Sequence, residues 1–551
     1  MGRRKKLPIT EDFSEAMSKF SHLKEYVKKV TPKMGEPEYH LALDRNLKFI
    51  DFPNIIYPVG DPMFVHIYKE RGIEGKQYVV IEPSMGDDVR KKYDEVMDRM
   101  IELANRLPVP DKTENIGPVL IKIFDEAVQI KGTKETGIKG MFSNKKIVSK
   151  PEYDIMRYFL LRDRVGYSKL EPLFNDPYLE DIHCVGVGNI KCIHKVFEMI
   201  HTNLIFRNDL ELNKYILETS ERVERPVSDA RSVVDAIMPD GSRVNFIYGR
   251  EISLEGSSFT VRKFSDVPVS ITQVVSWGTM SDEIAAYIWL ALENGMNMFV
   301  CGETASGKTT TLNACVAFIK PDAKVYTVEN TPEVTIPHST WQHLVTREAG
   351  KDTDVTMFHL LLAALRSRPN YIIVGEIRGT EGNVAFQAMQ TGHPVISTFH
   401  AGSPHSMIQR LTGHPIDVPI AFIDNLNIVL IQQAVSSGGH FVRRILSVTE
   451  IERYYEAENR VITRQVFSWE PNTDSHRFRG LYNSYILEKK IAQMIGFEDP
   501  REIYEEMMKR KKILQAMVKN EIFNYYDVWE VIKKFNAEGI AGLPFTVEGY
   551  A

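Results

Sequence analysis

The stretch GETASGKTT, residues 302–310, constrains the fold more than any other part of the chain. An apolar run, MNMFVC, precedes it, and a helix-like run, TLNACVAF, follows it. A glycine-rich loop between a strand and a helix closes its backbone N–H groups around a phosphate, and the helix N-terminus adds a favourable dipole. Gly302, Gly307, Lys308 and Thr309 match the pattern G-x-x-x-x-G-K-[ST], and Glu303, Thr304, Ala305, Ser306 and Thr310 complete the cradle. In this pattern the lysine reaches the β- and γ-phosphates and the threonine hydroxyl ligates Mg²⁺. ATP and Mg²⁺ are therefore the expected ligands.

Three further apolar runs end on polar residues. AKVYTVENTPE leads to Glu329, Asn330 and Glu333; NYIIVGEIRG leads to Glu376 and Arg378; GHPVISTFHA leads to His400. Strands and helices alternate here, the signature of a mostly parallel sheet covered by helices. In such a sheet the C-terminal strand ends line one crevice, where ligands bind. Four consecutive strands would then bring a phosphate loop, a carboxylate pair, a carboxylate and a histidine to one rim. Metal-assisted attack of water on a γ-phosphoryl group needs Mg²⁺ and a carboxylate that orients the water. Glu376 fits the metal-and-water position, with Thr309. Glu329 is the first candidate to polarise the water and Glu333 the second, while His400 is placed to contact the γ-phosphate. Arg243 in DGSR and Arg262 in TVRKF suit an arginine set against developing charge across a domain or subunit interface, and equally suit solvated strand faces. Arg378 either holds its own loop or meets a neighbouring subunit.

A chain of 551 residues is too long for one core, so two or three domains are expected. A basic N-terminal tail or helical segment occupies 1–40. An α+β domain follows over 41–265, with a second subdomain from about residue 170. A RecA-like domain with a helical C-terminal extension fills 266–551. The net charge of −5 gives no global reason to expect nucleic acid, and four cysteines are too few for a disulfide framework. No apolar run approaches the roughly 18 residues of a spanning helix. Residues 1–33 carry nine Lys/Arg against four Asp/Glu, which suits a solvated tail or a contact with anionic lipid. The hairpin signal GVGN, within 179–206, is flanked by His183, Cys184, Cys192 and His194. These residues suit either a metal site or two half-buried strands with inward thiols, and they lack the short Cys-x-x-Cys pair of a zinc site.

In their order, GETASGKTTTLNA, VENTPE, YIIVGEIRG and TGHPVISTFHA resemble the Walker A, aspartate-box, Walker B and histidine-box motifs of the secretion-superfamily ATPases. The resemblance is specific over 226–435, and within the superfamily the chain is similar to the archaeal branch and its archaellum motor ATPase. It implies a two-domain α/β protein: an N-terminal α+β domain and a C-terminal RecA-like P-loop domain with a mostly parallel sheet. It also implies a homo-hexameric ring on the cytoplasmic face of the membrane, docked on a polytopic platform protein beside other archaellum motor components. By motif, Glu329 and Glu333 take the aspartate-box positions, Glu376 the Walker B acid, and His393 and His400 the histidine-box positions. Arg243 and Arg262 resemble N-terminal-domain arginines that approach the phosphates. Asn330 stands where many relatives carry Asp, and the four-cysteine zinc module of bacterial secretion ATPases is absent.

The leading expectation is a mechanochemical ATPase of archaellum assembly and rotation, with an archaeal type IV pilus or type II secretion motor as the alternative. A nucleic-acid translocase would carry a basic stripe, which residues 290–440 lack. A non-hydrolysing nucleotide switch would need fewer acids on adjacent strands.

Overall fold

The computed structural model describes residues 12–104, 116–132, 145–264, 267–347, 353–437 and 440–550, apart from the side chains at 45, 46, 437 and 440. The chain divides into two compact units, Met1–Phe264 and Ser265–Ala551.

The first unit contains β1 (Glu38–Tyr39), β2 (Asn54–Pro58), β3 (Phe64–Tyr68) and β4 (Lys76–Ile81). A separate parallel pair, β5 (Val128–Ile130) and β6 (Lys146–Val148), comes next. Then follow β7 (Leu179–Val185), β8 (Gly188–His194), β9 (Glu198–Phe206), β10 (Val233–Ile237), β11 (Arg243–Ile247) and β12 (Ser258–Arg262). The main sheet has the order β1-β2-β3-β4-β9-β8-β7-β12-β11-β10, in which β1–β2 and β4–β9 are parallel pairs and the others antiparallel.

Residues 179–206 form three strands rather than a single hairpin. The second turn, at 195–197, has no glycine, proline or asparagine to announce it. It is built instead by the buried His194, whose Nδ1 accepts the N–H groups of Val196 (3.0 Å) and Phe197 (3.2 Å). Cys184 and Cys192 are buried among the apolar side chains of the same core, and His183 stands opposite Lys191 and Thr260. His194 and the thiols are thus structural parts of the sheet.

From Asp12 onward the basic N-terminal segment is more ordered than a solvated tail. Asp12 accepts the Glu15 N–H (3.0 Å) and starts the helix Phe13–Lys19, which is followed by the helix Ser21–Met34. Ala16, Leu23 and Val27 pack on Ile56, Phe64 and Ile81 of the sheet. Residues 1–11, which hold Arg3, Arg4, Lys5 and Lys6 of the nine basic residues behind the lipid expectation, lie outside the described residues.

The second unit contains β13 (Met298–Gly302), β14 (Val325–Glu329), β15 (Trp341–Val345), β16 (Tyr371–Glu376) and β17 (Val395–Phe399). They are followed by β18 (Ile428–Ser437), β19 (His440–Tyr455), β20 (Arg460–Glu470) and β21 (Ser475–Phe478). The order β15-β14-β16-β17-β13-β18-β19-β20-β21 is parallel from β15 to β18 and antiparallel beyond. With β15 set aside, the phosphate-loop strand lies between the fourth and fifth strands of a RecA-like order. The unit is therefore α/β, with an antiparallel meander added at one edge.

Alternate strand residues enter two cores. Val300, Val325, Ile373 and Ile396 face one layer, and Cys301, Val328, Ile372 and Val374 face the other. In the first layer the helix Asp282–Glu293 is buried on every side from Ile284 to Leu292, as expected of an apolar helix without a polar face. The helix Ile503–Lys519 covers it, and Arg510 donates to Glu293 from Nη2 (2.7 Å) and Nε (3.1 Å). The C-terminal extension is thus an integral layer of this unit.

Candidate functional site

Residues 303–307 leave β13 and enter the helix Lys308–Cys315. Gly302 abuts β18 so closely that a Cβ would lie 2.1 Å from the Gln432 carbonyl oxygen, which no other residue type tolerates. Ala305 and Gly307 both take left-handed backbone angles, at φ 61° and 92°, and curl the loop. Lys308 is buried and its Nζ donates to the Glu303 carbonyl (2.8 Å), as does the Ser306 hydroxyl (2.8 Å). Thr309 is half-buried, whereas Glu303, Thr304, Ala305 and Thr310 are exposed. The concave side of such a loop presents backbone donors at a helix N-terminus, the arrangement that holds a phosphate chain.

The neighbouring strand ends bring Glu329, Glu333, Glu376 and His400 to the same rim. A bulge at Gly375 shifts the register of β16, so that Glu376 rather than Gly375 stands opposite Thr398. Glu376 Oε2 accepts from Arg378 Nε (2.8 Å). Glu376 Oε1 is buried without a well-formed hydrogen bond, although His400 Nε2 lies 2.7 Å away. Arg378 therefore folds back onto its own loop, which the Glu381 carboxylate also holds through the Arg378 and Gly379 N–H groups (2.6 and 2.8 Å). Burial lowers the His400 pKa, and the Lys308 charge reinforces this, so its imidazole is biased toward the neutral form. Glu376 Oε1 and the Thr309 hydroxyl are hard oxygen donors. Mg²⁺ takes one or two such ligands and completes its shell from phosphate and water, so the donor set fits. Among the described residues, no three His, Cys, Asp or Glu gather as a separate metal cluster.

Two sequence-based assignments change. Glu329 is buried and already committed: its Oε1 accepts the N–H groups of Glu333 and Val334 (2.9 Å each), and its Oε2 meets His343 Nε2 (2.9 Å). A carboxylate held this way organises a loop and has little capacity left for water, so Glu333 becomes the better candidate. His393 precedes β17 while His400 follows it. Seven residues of extended chain separate the two by about 23 Å, so His393 lies at the opposite end of the strands. There its Nδ1 contacts the Thr391 hydroxyl (3.1 Å).

The rim also belongs to five strands rather than four, because β15 follows β14 in the chain and flanks it at the edge of the sheet. Its sequence, WQHLV, carries no strand pattern, and it supplies His343. Three more residues escaped the sequence reading. Asn313 Nδ2 donates to the Glu333 carbonyl (2.9 Å) and its Oδ1 accepts the Thr335 N–H (3.0 Å). Gln432 is buried against the loop with its Oε1 unbonded, and Arg443 Nε donates to the Ala305 carbonyl (3.2 Å). Only strand adjacency brings the last two there, and no local pattern marks them.

Arg243 and Arg262 belong to the first unit, where they are direct cross-strand partners on β11 and β12. Arg262 also stands opposite Asp181 of β7, so a carboxylate already lies beside this pair of cations.

The second-unit site residues lie within the span matched to a known family. A match to the family described as "Type II/IV secretion system protein" spans residues 169–532. A Methanocaldococcus jannaschii protein, described only as uncharacterized protein MJ0900, is 50% identical over 546 residues, 97% of this chain and 98% of its own. VirB11 of Agrobacterium fabrum is 28% identical over 201 residues, 32% of this chain and 58% of its own. Among solved structures, the Legionella pneumophila ATPase DotB is 17% identical, covering 74% of this chain and 99% of its own with a TM-score of 0.37.

Proposed function

This chain belongs to the type II/IV secretion system protein family, and from that premise we propose that it is a Mg²⁺-dependent ATPase acting as a hexameric motor. The finer reading is archaellum assembly and rotation through a membrane platform protein, at the cytoplasmic face of the membrane. An archaeal type IV pilus or type II secretion motor is the alternative. One observation carries the enzymatic reading: a strand–loop–helix phosphate cradle shares its rim with two acids whose roles differ. Glu376 keeps one buried oxygen without a hydrogen bond, and Glu333 sits on a loop fixed beside the cradle.

In the proposed reaction Lys308 leaves the Glu303 carbonyl for the β- and γ-phosphate oxygens. Thr309 and Glu376 would hold Mg²⁺, which would supply neutralisation of the nucleotide's negative charge. Glu333 orients the attacking water and accepts its proton as the new bond to the γ-phosphorus forms and the bond to the β–γ bridging oxygen breaks, with ADP as the leaving group. His400, biased to its neutral form, hydrogen-bonds near the γ-phosphate without adding charge. Arg243 and Arg262 are the proposed source of positive charge in the assembled ring. Among the described residues no helix is long and apolar enough to cross a membrane, which is compatible with peripheral docking.

Phosphate release with Mg²⁺ and ATP tests the chemistry. Glu333→Gln and Glu376→Gln should each retain ADP binding and lose turnover by about a hundredfold. Normal turnover in both would defeat the enzymatic assignment. The archaellum reading is tested by co-purification from native membranes with ATP present. Archaellin-type partners support it, and recovery of pilin-type subunits alone moves the motor to the alternative.

A further inference from the structure

Lys308 and Thr309 are proposed ligands at the start of the helix Lys308–Cys315, but the same helix makes a second contact with the rim. Thr309 and Asn313 are four residues apart and share one helix face, separated by about 6 Å along the axis. Asn313 is 9% exposed. Both ends of its amide are used, the nitrogen on the Glu333 carbonyl (2.9 Å) and the oxygen on the Thr335 N–H (3.0 Å). A carbonyl on one side and an N–H on the other leave a single amide orientation that satisfies both.

A second arm comes from β14. Glu329 Oε1 accepts the N–H groups of Glu333 and Val334 at 2.9 Å each. Glu333 is thereby gripped through its own N–H by Glu329 and through its own carbonyl by Asn313. Residues 330–338 contain no regular secondary structure. Val334 and Ile336 anchor the segment in the core and the Tyr525 hydroxyl donates to the Thr335 carbonyl (3.2 Å), so what the Asn313 arm adds is a tie at Glu333 itself. The Asn313 arm makes the backbone of Glu333 rigid with the helix that carries the phosphate and metal ligands.

We propose that Asn313 is a positioning residue for ATP hydrolysis, tying the nucleotide-binding helix to the loop that presents Glu333. The inference rests on the assignment of Glu333 as the water-orienting carboxylate. It adds that the distance between that carboxylate and the phosphate is set through the side chain of Asn313. Misplacing a reacting group by about 1 Å can cost a hundredfold in rate, so a modest loosening of this loop should be visible in turnover.

The test uses the full chain and reads kcat, KM and ADP affinity. Asn313→Ala removes both hydrogen bonds. Asn313→Asp keeps the acceptor for Thr335 and sets an oxygen against the Glu333 carbonyl, with almost no change in volume. Both variants should lose about tenfold or more in kcat, with KM and ADP affinity within about twofold of the parent. In a Glu333→Gln background, Asn313→Asp should add no further loss, because residues acting as a unit are not additive. Parental kcat in Asn313→Asp overturns the proposal. So does an equal further loss in the Glu333→Gln background, or a loss of ADP affinity that matches the loss of kcat. Parental turnover in Glu333→Gln alone overturns the underlying assignment of Glu333, and is distinguished by arising without any change at Asn313.

Discussion

The two units treat buried ionisable groups in opposite ways. In the first, Asp176 is fully buried, and its Oδ2 accepts the hydroxyls of Tyr57 (2.6 Å) and Tyr78 (2.7 Å) while its Oδ1 accepts the Tyr178 N–H (2.8 Å). His66, also fully buried, is shared between the Tyr26 hydroxyl (2.9 Å) and Asn54 (2.8 Å). Both groups are saturated, so this network fixes the sheet and offers nothing to a ligand. At the rim of the second unit Glu376 keeps one oxygen without a hydrogen bond, and Lys308 is parked on a backbone carbonyl. In these two networks saturation goes with architecture and an open position with chemistry. Glu329 and Glu450 show the same saturation within the second unit. Glu450 is buried and accepts from Tyr287, Ser484, Tyr485 and Ile486, as a purely architectural acid does.

This contrast can be broken in order of expected effect. Lys308→Ala should cut ATP turnover by on the order of a thousandfold while leaving the melting curve nearly unchanged. A large fall in melting temperature would mean that the lysine is architectural after all. Asp176→Ala should act the other way round. Unbonded tyrosine hydroxyls in the first core should cost about 3 kcal/mol in urea unfolding, with ADP affinity preserved. A change in pH should produce a smaller version of the same effect. Burial lowers the pKa of His66 and His194 to about 4, below the ordinary 6.5 of the unfolded chain. The unfolded state then binds more protons, so stability is fully present above pH 6.5 and lost as the pH falls toward 4. At pH 5 the loss should be about 2 kcal/mol for each histidine, and His66→Gln should flatten the profile. The smallest effect is expected from Arg443→Ala. Loss of its Ala305 contact should weaken ADP binding about threefold, in keeping with an exposed cation, and a calorimetric titration reads it directly.

The phosphate loop and the acid of β16 were legible in the sequence because each is local: a glycine pattern, and an apolar run that stops at a carboxylate. The two histidines were legible in principle, since seven extended residues cannot keep both ends at one rim. What stayed hidden depends on the path of the chain in space. Glu329 and Glu333 are equivalent carboxylates until the loop between them turns back and places two N–H groups on the first. β15 hides because a five-residue edge strand with its middle residues exposed shows neither the apolar run of a buried strand nor a clean alternation. Asn313 hides inside a helix, where asparagine gives no sign of which loop it will meet. The turn at 195–197 hides because a histidine side chain does the work usually left to glycine.

The bulge at Gly375 has one more consequence. A Cβ there would lie 3.0 Å from Glu329 Cγ and 3.2 Å from its Oε1, so the missing side chain of one strand is the space filled by the acid of the next. The two positions form an interlocked pair, and the order in which they change matters. Enlarging residue 375 first makes Glu329 yield by a few tenths of an ångström while it holds its loop, whereas shortening residue 329 first opens room for a side chain at 375. In lineages that carry a larger residue at this point, the long acid should therefore be the first of the pair to have changed.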